Sequence, residues 1–258
     1  MYVDEILKNY NKLGTEIIET IYTDGFLSIG GKRSTETLAK KAGLSRKSRV
    51  LDIGSGVGGP ARHLAATFGC RVTGIDLVEE NVDDANKRAK AEGLDNLVTF
   101  ELGDALALPY QDEKFDIVWG QDAWCHVPDK RRLISQATRV LTTGGAITFT
   151  DWVETGPMAK SVRAELLSAM AAPNVATMEN YRDYFSANGL NILVDENVSD
   201  IFCSQYREIM DTLKKRCSEF SERYSPKIYE IVAERNACIL QGFENGVLGG
   251  ARFVAQKP

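Results

Sequence analysis

Residues 50–65, VLDIGSGVGGPARHLA, run from an apolar stretch through a cluster of glycines into an alanine-rich segment with helical spacing. A strand, a tight turn and a helix start, in that order, describe the first crossover of an open α/β sheet, where ligands collect at the carboxyl ends of the strands. Gly54, Gly56 and Gly59 satisfy G-x-G-x-x-G, and Asp76 lies 20 residues past Gly56, near the end of RVTGIDL at residues 71–77. Glycines let the backbone approach a ligand, and a carboxylate closing the second strand can accept both hydroxyls of a ribose.

On both sides of this stretch the pattern alternates. Residues 71–77, 98–104 (VTFELGD), 115–122 (FDIVWGQD) and 145–152 (GAITFTDW) read as strands, and 60–69, 80–93 and 130–141 as helices between them. Such alternation predicts a Rossmann-like α/β fold, a parallel sheet with helices on both faces. Residues 1–44 read as an amino-terminal helical arm that runs into a loop at Gly30 and Gly31; 45–156 form the cofactor-binding core, 157–248 the acceptor region and a helical lid, and 249–258 a final strand, all in one domain. With 258 residues, 43% of them hydrophobic, the chain is long enough for one substantial core. A net charge of −5 argues against a sequence-independent grip on nucleic acid. Five cysteines without C-x-x-C spacing, no leader-like amino end and no membrane-length apolar run point to the cytoplasm; nothing decides between monomer and dimer.

The glycine pattern admits two adenosine-bearing cofactors, a dinucleotide or S-adenosylmethionine. Asp52 precedes the loop, where a carboxylate would repel a pyrophosphate. Asp104, in GDALALP at residues 103–109, is suited to accept from an adenine amino group beside apolar Ala105 and Leu106. Through VLDIGSGVGG, GIDL, GDALALP and FDIVWGQDAWCHVPD, residues 45–258 resemble class I S-adenosylmethionine-dependent methyltransferases, whose seven-stranded sheet ends in a reversed strand after an insertion. The resemblance implies that Gly54, Gly56 and Gln121 border the methionine part, that Asp76 and Leu77 flank the ribose and adenine, and that Asp104 and Ala105 hold the adenine. It also implies that Leu27 and Ser28 close over the cofactor from the arm, and that the product is S-adenosylhomocysteine.

Residues 119–130, WGQDAWCHVPDK, put Asp122, Cys125 and His126 at the carboxyl end of the fourth strand in a chain with two histidines. Three ligand types in one turn with no partner cluster elsewhere do not predict a metal site. Cys125 reads as a core residue, Asp129 and Lys130 as solvated cap residues, and His63 as structural. The stretch is similar to sarcosine/dimethylglycine N-methyltransferases, as are LKKRCSEFSERYSPKIYE (213–230) and GVLGGARFVAQKP (246–258). Residues 9–31 resemble the arm of phosphoethanolamine N-methyltransferases, which implies a dyad of Tyr10 and His126. The uncharged SAMAAPNVAT, residues 168–177, departs from the phosphate-binding arginine and tyrosines of that group. The expectation is therefore methylation of a small amine, with His126 and Tyr10 orienting or deprotonating it and Asp122 fixing the imidazole. Trp124 and Trp152 are candidate cation–π walls, and Arg207, Lys215, Arg216 and Arg252 candidate partners for an acceptor carboxylate. The rivals are a phosphoethanolamine acceptor, a prenyl quinol, phenol or sterol acceptor, and a scaffold that binds the cofactor without transfer.

Overall fold

Five apolar runs become the parallel strands β1 (Arg49–Ile53), β2 (Arg71–Asp76), β3 (Val98–Leu102), β4 (Phe115–Gln121) and β5 (Leu141–Glu154) in a computed structural model that describes residues 2–22 and 25–258. Met1, Thr23 and Asp24, part of the expected arm, lie outside the described residues. With β6 (Asn191–Asn197) and β7 (Leu248–Gln256) the strands form one seven-stranded sheet in the order β3-β2-β1-β4-β5-β7-β6. Strand β7 pairs antiparallel with both β5 and β6, which gives the reversed last strand. The order reverses direction between β1 and β4, and that break opens a crevice at the carboxyl ends of both strands.

Central strands are buried on both faces because helices cover both. On one side α3 (Gly31–Lys41), α4 (Gly59–Phe68) and α5 (Glu79–Ala91) supply Leu38, Leu64 and Ala85 to a core that also holds Val50, Val72, Phe100 and Trp119. On the other, α6 (Lys130–Val140) and α8 (Met178–Ala187) pack Leu133, Tyr181 and Phe185 around Phe149, which stacks on Phe253 at 5.5 Å. Thr177 and Asn180 form a reciprocal capping box that starts α8. A third cluster lies under the lid, where α9 (Ser199–Lys215), α10 (Cys217–Arg223) and α11 (Pro226–Glu244) are inserted between β6 and β7; α11 packs on α9 and on α7 (Lys160–Met170), and α9 on β7. No helix of the described residues is long and apolar enough to cross a membrane.

The amino-terminal arm differs from its expected form. It comprises α1 (Tyr2–Asn9) and α2 (Lys12–Ile21), divided where the Asn11 side chain accepts from Gly14 N at 3.0 Å and caps the second helix. Where a loop was expected after Gly30, α3 begins: Gly30, at φ 76°, makes the left-handed entry that the turn requires.

Candidate active site

The loops leaving β1, β2 and β4 line a first cavity at the switch point. Gly54 and Ser55 donate to Ile75 O at 2.9 and 3.0 Å, and Gly56 N donates to Asp76 Oδ2 at 2.8 Å. Asp76 Oδ1 accepts from Val78 N at 2.9 Å, and the Leu77 backbone and the Asn81 side chain also bond this carboxylate. At Gly56, φ is 51° and a Cβ would stand 2.7 Å from Leu27 Cδ1, so glycine is needed for the turn and for the arm that crosses it. Gly59 has a packing reason as well, since its Cβ would collide with Gly25 O. Beneath the loop, Asp52 is 2% exposed, and burial and then neighbouring Asp76 push its pKa up to about 8. Asp52 Oδ2 and Ser55 Oγ have no hydrogen-bond partner among the described residues.

No lysine or arginine lines this cavity among the described residues, while Asp76 and Asp122 do, and Pro60 removes an N–H from the first turn of α4. A pyrophosphate would meet carboxylates without a cation; a ribose and a positively charged sulfur suit these walls. Leu27, Ser28, Gly54, Gly56, Asp76, Leu77, Ala105 and Gln121 all line the cavity. Asp104 does not: it is exposed, and its Oδ1 accepts from Leu106 N at 2.8 Å.

After β4 the chain turns through Asp122, whose φ of 57° is left-handed for a non-glycine residue and costs about 1–2 kcal/mol. Its backbone N donates to Thr150 O at 2.8 Å, its Oδ1 accepts from Thr150 Oγ1 at 2.6 Å, and its Oδ2 accepts from Ile29 N at 2.9 Å. Gln121 Nε2 donates to Ser28 Oγ at 3.0 Å, and its Oε1 accepts from Thr35 Oγ1 at 2.9 Å. These two residues pin the arm across the cavity. The expected contact between Asp122 and the imidazole does not form, because both carboxylate oxygens are committed to Thr150 and Ile29. Burial holds the Asp122 pKa up at about 7.

His126 ends a 3-10 turn, Trp124–His126, and lies between Ala171 O, 3.1 Å from Nδ1, and Tyr10 Oη, 2.8 Å from Nε2. A carbonyl only accepts, so Nδ1 carries the hydrogen and Nε2 accepts from the tyrosine hydroxyl. Burial pulls the imidazole pKa down from 6.5 to about 4, so the ring is neutral around pH 7. Lys130 is not a solvated cap residue: it is 3% exposed, and its Nζ bonds Val127 O at 2.9 Å and Asn174 Oδ1 at 2.6 Å, holding this turn to the segment after α7. Asp129 does cap α6 by accepting from Arg132 N at 2.9 Å. Cys125 is buried, and burial drives its thiol pKa well above the ordinary value.

A second cavity opens beyond the dyad, under the lid and the arm. Tyr10, Leu27, Asp122 and His126 line both cavities. Trp152 lines the second with Tyr22 and Tyr206, but Trp124 does not. Trp124 instead borders the first cavity: it is buried, stacked on Phe149 at 4.4 Å with its Nε1 donating to Ile53 O at 3.2 Å, so most of its ring serves the core. Arg207 and Arg216 are also outside the cavity: they pair at the surface with Glu244 at 3.0 Å and Glu219 at 2.7 Å. Arg252 pairs with Glu196 at 2.7 Å on the sheet, and Lys215 is exposed. The sequence reading missed Arg235 and Asn236, which line the cavity from α11. A signal for Arg235 was present: it lies three residues after Val232 and four before Ile239, on the apolar stripe of its helix.

The profile of the methyltransferase domain family matches residues 51–149. The glycine/sarcosine/dimethylglycine N-methyltransferase of Actinopolyspora halophila is 32% identical over 195 residues, 76% of this chain and 34% of that protein, so the chain spans about a third of this relative's length. The sarcosine/dimethylglycine N-methyltransferase of Halorhodospira halochloris is 32% identical over 203 residues, 76% of this chain and 72% of that protein. Among solved structures, phosphoethanolamine N-methyltransferase 2 of Haemonchus contortus, in complex with phosphomonomethylethanolamine and S-adenosylhomocysteine, superposes with a TM-score of 0.92 at 27% identity, over 100% of this chain and 60% of that one.

Proposed function

The chain belongs to the methyltransferase family, and from that premise we propose that it transfers the methyl group of S-adenosylmethionine to the nitrogen of a small amine of the sarcosine or dimethylglycine kind. The observation that carries this reading is that Tyr10 and His126 line both cavities, which sets a hydrogen-bonding pair where donor and acceptor must meet. When bound, the cofactor supplies an electrophilic methyl on a positively charged sulfur. Gly54, Gly56 and Gln121 would border its methionine part, Asp76 would accept from the ribose, Leu77 and Ala105 would enclose the adenine, and Leu27 and Ser28 would cover it. Five free cysteines support a reducing compartment, the cytoplasm.

The attacking nitrogen needs its lone pair. An alkylammonium with a pKa near that of lysine, about 10, costs roughly 4 kcal/mol to deprotonate at pH 7. His126, held near 4, is a poor resting place for that proton: the transfer would run uphill by roughly 8 kcal/mol. The dyad therefore orients and does not store the proton. With the Tyr10 hydrogen engaged by His126 Nε2, the phenolic oxygen presents lone pairs to the N–H of sarcosine, or to the polarised N-methyl C–H groups of dimethylglycine, whose free base has no N–H, and turns the nitrogen lone pair toward the junction. The free base is drawn from solvent, and the aromatic faces of Trp152, Tyr22 and Tyr206 favour the positive charge that appears on nitrogen after transfer.

The test is incubation of the protein with methyl-labelled S-adenosylmethionine and glycine, sarcosine, dimethylglycine, phosphoethanolamine, phenols and quinols. Label is expected on the amino acids; label confined to a phenol or quinol would overturn the amine reading, and cofactor binding without any methylated product would favour a scaffold.

A further inference from the structure

Arg235 is the sole lysine or arginine lining the second cavity among the described residues. Its Nε donates to Ala169 O at 3.2 Å, its Nη1 to Asn9 Oδ1 at 3.1 Å and its Nη2 to Ser168 O at 3.4 Å. All three acceptors are neutral, whereas Arg207, Arg216 and Arg252 are each matched by a glutamate. A guanidinium carries five N–H donors, so two remain after these three bonds, one on each Nη. The cation also lies beside the dyad. Ser168 and Ala169 end α7 and hold Arg235, and Ala171, the cap of that helix, holds His126; Asn9 holds Arg235, and Tyr10, next in the chain, holds His126.

We propose that Arg235 binds a carboxylate on the amine acceptor and so selects amino acids over uncharged amines; this rests on the amine reading above. A planar guanidinium with an N–H left on each Nη matches a planar carboxylate. One cation balances one carboxylate, while a phosphate dianion would call for a second that the cavity lacks among the described residues. Arg235 also serves the end of α7, whose last turn has no basic residue of its own. A guanidinium confined to that duty would affect folding and leave acceptor choice alone.

The two roles separate in a binding experiment on the full chain saturated with S-adenosylhomocysteine. Calorimetry would give Kd for dimethylglycine, for its amide, N,N-dimethylglycinamide, and for phosphoethanolamine, in the wild type, Arg235→Gln and Arg235→Lys. The wild type is expected to prefer dimethylglycine over the amide by roughly 10- to 100-fold. Arg235→Gln should erase that preference, Arg235→Lys should keep part of it, and both should retain their S-adenosylhomocysteine affinity. Equal weakening of both acceptors in Arg235→Gln, no weakening of either, or tighter wild-type binding of phosphoethanolamine than of dimethylglycine would overturn the proposal. If the wild type methylates the amide as well as the amino acid, only the role of Arg235 falls; if it methylates no amine, the amine reading falls first and this proposal with it.

Discussion

At the scale of single residues, the site works through groups whose ordinary protonation has been moved or fixed by burial. His126 titrates near 4, so between pH 6 and 9 only the acceptor changes state at the reacting nitrogen. kcat/KM should therefore climb about tenfold per pH unit toward the amine pKa near 10, with no bend around 6.5 from the imidazole; because Asp122 is held up at about 7, a bend there in initial-rate profiles that persists in Asp122→Asn would return the proton to the imidazole. His126→Ala should lower kcat about 100-fold at saturating cofactor, and Tyr10→Phe, which removes the orienting oxygen, should lower it by a comparable factor; unchanged rates would remove the dyad. Asp76 makes a separate prediction. Its oxygens already take Gly56 N and Val78 N, so Asp76→Ala loses the order of the glycine loop and, on the proposed reading, the ribose acceptor with it, and calorimetry should show S-adenosylmethionine binding weakened by at least roughly 10- to 100-fold.

At the scale of elements, β1, the glycine turn and α4 were legible because each position is constrained twice, by burial and by backbone conformation. The lid was legible as an insertion, since helical periodicity over 204–244 separates two strand patterns, although α9 starts earlier, at Ser199, where the sequence still reads as strand. Helix α3 was not, because its few buried apolar side chains, Leu38 and Ala39, leave little periodic signal. Arg235 was obscured for the opposite reason: among many lid charges, sequence alone did not separate the one on the apolar stripe from Arg207 and Arg216 at the surface. Nor does spacing reveal that Gln121 and Asp122 reach back to Ser28 and Ile29, 93 residues away, and serve as clasps for the arm. Asp122→Ala should therefore speed limited proteolysis near residue 29 and weaken cofactor binding, whereas Asp122→Asn, which tolerates the left-handed backbone, should do less; equal cleavage of wild type and Asp122→Ala would separate the clasp from the arm.

At the scale of the whole molecule, three buried carboxyls tie stability to pH. Burial holds Asp151, Asp122 and Asp52 up at about 6, 7 and 8, against 3.8 for an ordinary aspartate. Each contributes to folding while protonated, fully below the ordinary value, and the contribution is lost as pH rises through the folded value. His126 has the opposite sign: its contribution is present above 6.5 and lost as pH falls through about 4. Above the range of His126, the melting temperature of the cofactor-free protein should thus drop between pH 6 and 8, by roughly 5–10 °C, and level off above 8, and Asp52→Asn should flatten the upper part of the fall; a calorimetric Tm that stays level from 6 to 8 would show that these carboxyls ionise freely. The arm has a further consequence, because Leu27 roofs one chamber and walls the next while Gly25 rests on Gly59. A shared roof couples the two chambers: an arm that lifts at Leu27 to release the spent nucleoside would also flood the neighbouring chamber. Rapid-mixing experiments should then record a burst of one methylated molecule per site, followed by a slower cadence set by the roof.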